Sequence, residues 1–142
     1  MTKYLLDSNI ISEPSKPVPN MTVVNKLIRN SKECCIAAVT YFEMLHGILI
    51  LPEGKRKQRL IAYLQETVVP FYDFISYDLE AARINAEIIA KLESVGNPLP
   101  IIDSQIASIV LLNNWVLVTR NVKDFEPIQI FFSLKIENWF EE

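Results

Sequence analysis

Residues 98–125, PLPIIDSQIASIVLLNNWVLVTRNVKDF, place a helix, a strand and an acidic loop one after another. Pro98 and Pro100 form a rigid entry, and apolar residues then recur at helical spacing over residues 103–113. Residues 116–119 are a short apolar run of the kind that is buried inside a sheet. A helix that leads directly into a buried strand predicts an α/β fold with a parallel sheet.

The rest of the chain continues this alternation of strands and helices. Asp78 is placed to cap a long helix that Gly96 ends. The predicted strands are residues 4–6, 34–37, 74–76, 116–119 and, at an edge, 128–132. The predicted helices are a turn at 9–13, then 21–30, 40–49, a basic amphipathic helix at 52–68, then 78–95 and 103–113. With 142 residues and no repeat or linker, the sequence predicts one α/β domain over residues 1–142, with a mainly parallel five-stranded sheet sandwiched between helices.

Acidic residues stand at four separate junctions between predicted elements. Asp7 ends the first strand, Glu43 and Asp103 lie at the starts of helices, and Asp124 follows the strand at 116–119. Strand ends and the adjoining helix starts converge on one edge of an α/β sheet, so these carboxylates should meet there. They would repel one another without a cation, and oxygen ligands suit Mg²⁺ or Mn²⁺. The pattern therefore points to metal-dependent phosphodiester hydrolysis.

Each of these acids also has an explanation that involves no chemistry. Asp7 can cap the helical turn that follows it. Glu43 can close a capping box with Thr40, and Asp103 can interact with the dipole of its own helix. Asp103 is nevertheless bracketed by core residues, and a partly buried carboxylate needs a partner, which favours function there.

Neighbouring polar residues extend the candidate site. Ser8 and Asn9 can orient the carboxylate of Asp7, and Asn121 offers an amide oxygen where a further carboxylate would otherwise stand. Arg120 and Lys123 flank the predicted site and are candidates for contact with substrate phosphates. The basic run KRKQR at 55–59 is most simply a solvated helix face, and contact with RNA is its alternative function.

Composition and missing motifs exclude several other classes of protein. The single histidine, with no GxSxG motif, argues against a Ser-His-Asp hydrolase. No P-loop or GxGxxG motif is present, and a receiver domain would need adjacent acids after its first strand. Cys34 and Cys35 are adjacent, which predicts reduced, buried thiols rather than a disulfide or a zinc site. The net charge of −3 argues against avid binding to a duplex. Without a long apolar segment or a secretory signal, the protein is expected to be cytoplasmic and not membrane-bound.

Four stretches together resemble a known family, the PIN-domain ribonucleases, and more narrowly the VapC toxins of bacterial toxin–antitoxin pairs. They are LLDSNIIS, AAVTYFEMLHGI, the stretch at 98–125 and the closing IENW. The longer stretch LLDSNIISEPSKPVPN resembles the FitB-like branch of those toxins. The resemblance implies a five-stranded parallel sheet between helices, a homodimer, and a small antitoxin that occludes an acidic Mg²⁺ or Mn²⁺ pocket. It assigns Asp7, Glu43 and Asp103 to the three principal acidic positions, Asn121 to the fourth and Asp124 to a nearby position.

The expected function is therefore a Mg²⁺- or Mn²⁺-dependent endoribonuclease, with RNA as substrate and an antitoxin as partner. Asp7 and Asp103 would hold the metal, and Glu43 would bind it or position the attacking water. Asn121 and Asp124 complete the expected site, while Ser8, Asn9, Arg120 and Lys123 are expected to contact substrate. The alternative is a PIN-like module that has lost catalysis and only binds RNA or protein.

Overall fold

Five parallel strands form one sheet in the order β3-β2-β1-β4-β5 in the computed structural model, which describes residues 3–141. The strands are β1 (Tyr4–Leu6), β2 (Cys34–Ala37), β3 (Asp73–Ile75), β4 (Val116–Val118) and β5 (Lys135–Glu137). Every neighbouring pair is parallel, so all strands end at the same edge of the sheet. The predicted α/β fold class is confirmed, and the sheet is parallel throughout.

Helices cover both faces of the sheet, as predicted. They are α1 (Ser8–Ile11), α2 (Met21–Arg29), α3 (Ala38–Leu49), α4 (Lys55–Tyr63), α5 (Leu79–Ser94), α6 (Ile101–Asn113) and α7 (Val122–Phe131). A π-helical segment, Leu64–Val68, follows α4 directly. Asp78 caps α5 by accepting a hydrogen bond from the N–H of Ala81, and Gly96 has a positive φ of 70° after its end. The predicted start and stop signals of this helix are both confirmed.

The strands divide the core into two layers because their side chains alternate between faces. Leu5, Cys35 and Leu117 pack with α5, α6 and α7. Leu6, Ile36 and Val118 pack on the other face with α1, α2, the π-helical segment and Trp139. Since nearly all of these side chains are fully buried, the sheet is rigidly held and fixes the positions of the loops at its edge.

The predicted edge strand at residues 128–132 is wrong. Residues 128–131 are the end of α7, Phe132 is its C-cap, and the fifth strand is β5, at Lys135–Glu137. The run IQIFF was predicted as a strand, but Phe125 and Ile128 are buried at helical spacing on one face of a helix. That burial outweighs the one backbone hydrogen bond that Pro127 cannot donate. The predicted basic helix at 52–68 begins later, at Lys55, because Gly54 precedes it in an extended conformation with φ 155°.

Cys34 and Cys35 are buried free thiols in β2, as predicted. Burial raises the pKa of both thiols to about 12, so they stay protonated at neutral pH. Over residues 3–141, none of the helices combines the length and the apolar character that a bilayer crossing needs.

Candidate active site

The carboxyl-terminal edge of the sheet gathers the predicted acids. Asp7 directly follows β1, Glu43 lies in α3, which leaves β2 without an intervening loop, and Asp124 lies in the first turn of α7, after β4. Asp103 reaches the same edge from the first turn of α6. Burial is the largest cause of the raised pKa of Asp7, Glu43 and Asp103, and the charges of the acids add to it. Asp7 and Asp103 raise the pKa of Glu43, and Asp124 raises the pKa of both Asp7 and Asp103. The four carboxylates therefore form one electrostatic cluster.

Asp7 is the buried centre of this cluster, with 7% of its surface exposed. Its Oδ1 accepts a hydrogen bond from the N–H of Ser8 at 2.9 Å, which is the predicted capping role. Its Oδ2 accepts from the Thr119 hydroxyl at 2.8 Å and from the Asn9 amide at 3.3 Å. Burial raises the pKa of Asp7, and the three hydrogen bonds oppose that rise without cancelling it. Capping therefore coexists with a site role for Asp7.

Thr119 is a site residue that sequence reasoning missed. It is fully buried, and its hydroxyl both donates to Asp7 and accepts from the N–H of Asn121 at 3.0 Å. The strand register explains the contact: Leu6 pairs with Val118, so the next residues on the two strands, Asp7 and Thr119, are neighbours. Asn9 also serves this junction, since its Oδ1 accepts from the N–H of Arg120 at 3.0 Å.

The capping explanation for Glu43 is wrong. Helix α3 starts at Ala38 and its N-cap is Ala37, so Glu43 lies beyond the position that a capping box requires. Thr40 is fully buried, and its hydroxyl has no hydrogen-bond partner in the described part of the chain. The strand β2 runs straight into the helix, which moves the start two residues ahead of the predicted one. The Glu43 carboxylate is left half-buried, and burial, then the charges of Asp7 and Asp103, raise its pKa to about 7.

Asp103 makes no capping hydrogen bond, although it lies in the first turn of α6, where the helix dipole favours a negative charge, as predicted. The helix α6 begins two residues before it, at Ile101, and its N-cap residue Pro100 makes no side-chain hydrogen bond. Asp103 is partly buried, and burial together with the charges of Asp7 and Asp124 raises its pKa to about 6. A partly buried acid without a cap function and with a raised pKa is typical of a functional site.

The remaining predicted residues lie in two clefts beside the cluster. Ser8 and Glu43 line a cleft of about 410 Å³ together with Ser12, Ser15 and Arg56. Asn121 and Asp124 line a second cleft of about 500 Å³ together with Arg120 and Lys123. Arg56 thus brings one member of the basic run to the site, whereas Lys57 pairs with Glu53 at 2.6 Å.

The donor set suits a hard divalent cation, although its oxygens have not converged. Across residues 3–141, no three or more His, Cys, Asp or Glu side chains are arranged so that they could hold a metal ion as they stand. The acids nevertheless supply only oxygen donors. Their pKa values are raised first by burial and then by mutual repulsion, and a cation would relieve that repulsion. The chemistry of the residues therefore fits Mg²⁺ or Mn²⁺, and binding would require the side chains to draw together.

Comparison with known proteins places this chain in a family. The PIN domain family matches residues 4–128 of the chain. The chain therefore belongs to the PIN-domain family. It is 32% identical over 125 residues to plasmid stability protein StbB of Pseudomonas syringae pv. tomato, covering 86% of this chain and 90% of StbB.

Two further relatives carry toxin or nuclease names. Toxin FitB of Neisseria gonorrhoeae is 30% identical over 126 residues, covering 85% of this chain and 89% of FitB. The tRNA(fMet)-specific endonuclease VapC of Shigella flexneri is 30% identical over 139 residues, covering 98% and 99% of the two chains. The predicted resemblance to VapC and FitB toxins is confirmed.

Solved structures agree with these relatives. The crystal structure of FitAcB from Neisseria gonorrhoeae superposes with a TM-score of 0.86 at 27% identity, covering 98% of this chain and 99% of that one. DNA-bound VapBC from Salmonella typhimurium superposes with a TM-score of 0.81 at 27% identity, covering 98% and 99%.

Replacing Thr119 with valine should destabilise the protein because it leaves Asp7 Oδ2 and the N–H of Asn121 short of a buried hydrogen bond. The expected loss in the free energy of unfolding is about 1–3 kcal/mol at neutral pH. Urea unfolding measures it. Thr119→Ser keeps the hydroxyl and is the matched control. If the valine and serine variants are equally stable, the hydroxyl does not support Asp7.

The raised pKa of Glu43 predicts how stability changes with pH in metal-free protein. Its pKa is about 7 in the folded protein against an ordinary value of 4.5, so in this window the folded state binds more protons than the unfolded chain. The free energy of unfolding should therefore fall as pH rises from 4.5 to about 7. Urea unfolding in the presence of a chelator measures this decline.

Glu43→Gln should reduce the decline, since it removes the titrating group and its repulsion of Asp7 and Asp103. Glu66→Gln, at an exposed position in the π-helical segment, is the control. The assignment fails if the Glu43→Gln protein loses stability with pH as steeply as the Glu66→Gln protein.

Proposed function

We propose that this protein is a Mg²⁺- or Mn²⁺-dependent endoribonuclease and the toxin of a toxin–antitoxin pair. The observation that carries the proposal is the single electrostatic cluster of Asp7, Glu43, Asp103 and Asp124, which come from four separate elements. Neither Glu43 nor Asp103 has a capping role that would explain it. The similarity to a protein named as an endonuclease and another named as a toxin supports the choice of substrate and role.

In this proposal each residue has a role that follows from its position in the site. Asp7 and Asp103 would hold the metal, with Thr119 and Asn9 keeping the Asp7 carboxylate in one orientation. A bound divalent cation supplies a water of lowered pKa and stabilises charge on the scissile phosphate. Glu43 would orient that water through its carboxylate or serve as a further ligand. Asn121 and Asp124 would complete the acidic edge.

Neutralising single acids tests this function against the alternative of an inactive binding module. Asp103→Asn and Glu43→Gln keep the size of the side chain but remove the charge that a hard cation requires. Each should lower cleavage of RNA in Mg²⁺ by roughly 100-fold or more. The melting temperature should hold or rise, because repulsion within the cluster is relieved. Gel assays of a labelled RNA, with melting curves, measure both effects.

Asp73→Asn is the matched control, since Asp73 is exposed at the start of β3, at the opposite edge of the sheet. It should cleave as the unmodified protein does. Cleavage by Asp103→Asn at the unmodified rate would show that the metal-site assignment is wrong. Absence of metal-dependent cleavage by the unmodified protein would favour the binding module.

The proposal includes a small antitoxin that binds over the acidic cluster. It also includes a homodimeric toxin, which analytical ultracentrifugation would detect. Without metal the cluster is a focus of negative potential, so a basic side chain from the partner would be attracted to it. Exposed apolar residues such as Ile28 and Phe71, 68% and 74% exposed, offer further contact area for a partner helix.

Competition between partner and metal tests this arrangement. A co-expressed antitoxin partner, purified and titrated into the cleavage assay, should inhibit less well as Mg²⁺ is raised and as salt is raised. Cleavage rates at several fixed Mg²⁺ concentrations measure the effect. Inhibition that does not depend on Mg²⁺ would mean that the partner acts away from the acidic cluster.

A further inference from the structure

Arg120 is held by an aromatic ring rather than by an acid. Its guanidinium carbon lies 4.3 Å from the centroid of the Phe140 ring, close enough for a cation–π interaction. Its backbone N–H donates to the side chain of Asn9, which also donates to Asp7. The backbone of Arg120 is therefore linked to the acidic cluster through Asn9. The side chain therefore starts at the candidate active site and ends against the C-terminal turn.

The contact with the Phe140 ring leaves the guanidinium N–H groups of Arg120 available to bind an anion. Within residues 3–141, its guanidinium forms no ion pair within 4.0 Å and donates no hydrogen bond. Glu13 is the nearby acid that feels its charge: burial raises the pKa of Glu13, but hydrogen bonds and the charges of Lys16 and Arg120 bring it below its ordinary value. Glu13 is already paired with Lys16 at 2.8 Å. A guanidinium that rests on a ring keeps its in-plane N–H groups free for a phosphate.

The C-terminal turn that presents Phe140 is itself well anchored. Trp139 is 2% exposed, packs edge-on against Tyr4 at 5.3 Å and donates from its indole to Glu137 at 2.9 Å. The N–H of Phe140 donates to the side chain of Asn138 at 3.0 Å. The ring is therefore a fixed support rather than a mobile tail.

Arg120 opens into the second cleft, which has mixed charge. Lys123 adds a second cation, whereas Asp124, Glu126 and Glu141 also line this cleft. Three carboxylates against two cations weaken the attraction for a free anion. A phosphate that is tethered to a strand already engaged at the acidic cluster has a high local concentration, so it can still bind here.

We propose that Arg120, supported by Phe140, binds a phosphate of the RNA strand beside the one that is cleaved, which makes Phe140 a positioning residue for substrate. This inference rests on the proposed function and names one substrate subsite within it. It assigns a role to the C-terminal turn, which carries none of the acidic residues of the site.

A double-mutant cycle on RNA binding tests the inference. The probe is a labelled single-stranded RNA of about 12 nucleotides, within the length that such grooves hold. It is titrated, with Mg²⁺ present, at several salt concentrations into the Glu43→Gln protein, which should cleave slowly and keeps Asp7 and Asp103 to hold the metal. Arg120→Ala should weaken binding about 10-fold and reduce the slope of log affinity against log salt by about 0.7, the loss of one phosphate contact. Phe140→Leu should weaken binding about 3-fold, and Phe140→Tyr should retain it.

The cycle separates positioning from a general effect on structure. Phe140→Leu should have no further effect on affinity once Arg120 is alanine. Arg29→Ala is the matched control for lost charge, since Arg29 is exposed at the end of α2, shortly before the start of β2 and so near the opposite edge of the sheet. It should leave the salt slope unchanged. Equal effects of Phe140→Leu in both backgrounds, or no measurable binding of the RNA, would overturn the inference.

Failure of this inference and failure of the proposed function give different results. If the unmodified protein cleaves RNA in a metal-dependent way and Arg120→Ala binds RNA with unchanged affinity, the phosphate subsite is wrong and the nuclease function stands. If the double-mutant cycle gives the predicted result but the unmodified protein cleaves no RNA, the phosphate contact is supported and the proposed nuclease function is wrong.

Discussion

Repulsion among partly buried carboxylates is the constraint on which the functional edge of this protein depends. Asp7, Glu43 and Asp103 are each held where water cannot fully solvate them, and each feels the charge of at least one other acid. A fold that only needed stability would not gather these charges, because burying like charges together is unfavourable. A divalent cation bound among these carboxylates would offset their repulsion. The parallel sheet brings them together because every strand ends at the same edge.

The sheet also explains how the acidic cluster and its surroundings are joined. Neighbouring strands β1 and β4 end side by side, so Asp7 and Thr119 meet, and Asn9 links them to the backbone of Arg120. One short hydrogen-bonded network therefore connects the buried acid to the loop that carries Arg120, Asn121 and Lys123. A change in this loop should therefore alter the hydrogen bonding of the Asp7 carboxylate. Arg120, the proposed phosphate contact, directly follows Thr119, which donates a hydrogen bond to Asp7.

Residue patterns predicted the parts of the fold that depend on local sequence. The buried strands before Asp7 and Arg120, and the capped helix from Asp78 to Gly96, carry clear signals and are present. The run IQIFF was misread as a strand because its helical character comes from tertiary burial of Phe125 and Ile128. Thr119 and Phe140 were missed for a related reason: their roles arise from contacts across 112 residues and between loop and C-terminus, which local spacing does not reveal.

The central claim is that this acidic cluster binds a divalent cation in place of protons. Calorimetric titration of Mn²⁺ into metal-free protein, repeated in buffers of different ionisation enthalpy, measures both binding and the protons released. At about one pH unit below the pKa of Glu43, which is about 7, Asp103 with a pKa of about 6 is also half protonated. Binding should therefore release roughly one to two protons per ion, because carboxyl groups must ionise before they bind metal. The released fraction should shrink as pH rises past that value. Saturating binding with no proton release at the lower pH, or no binding at all, would contradict the account.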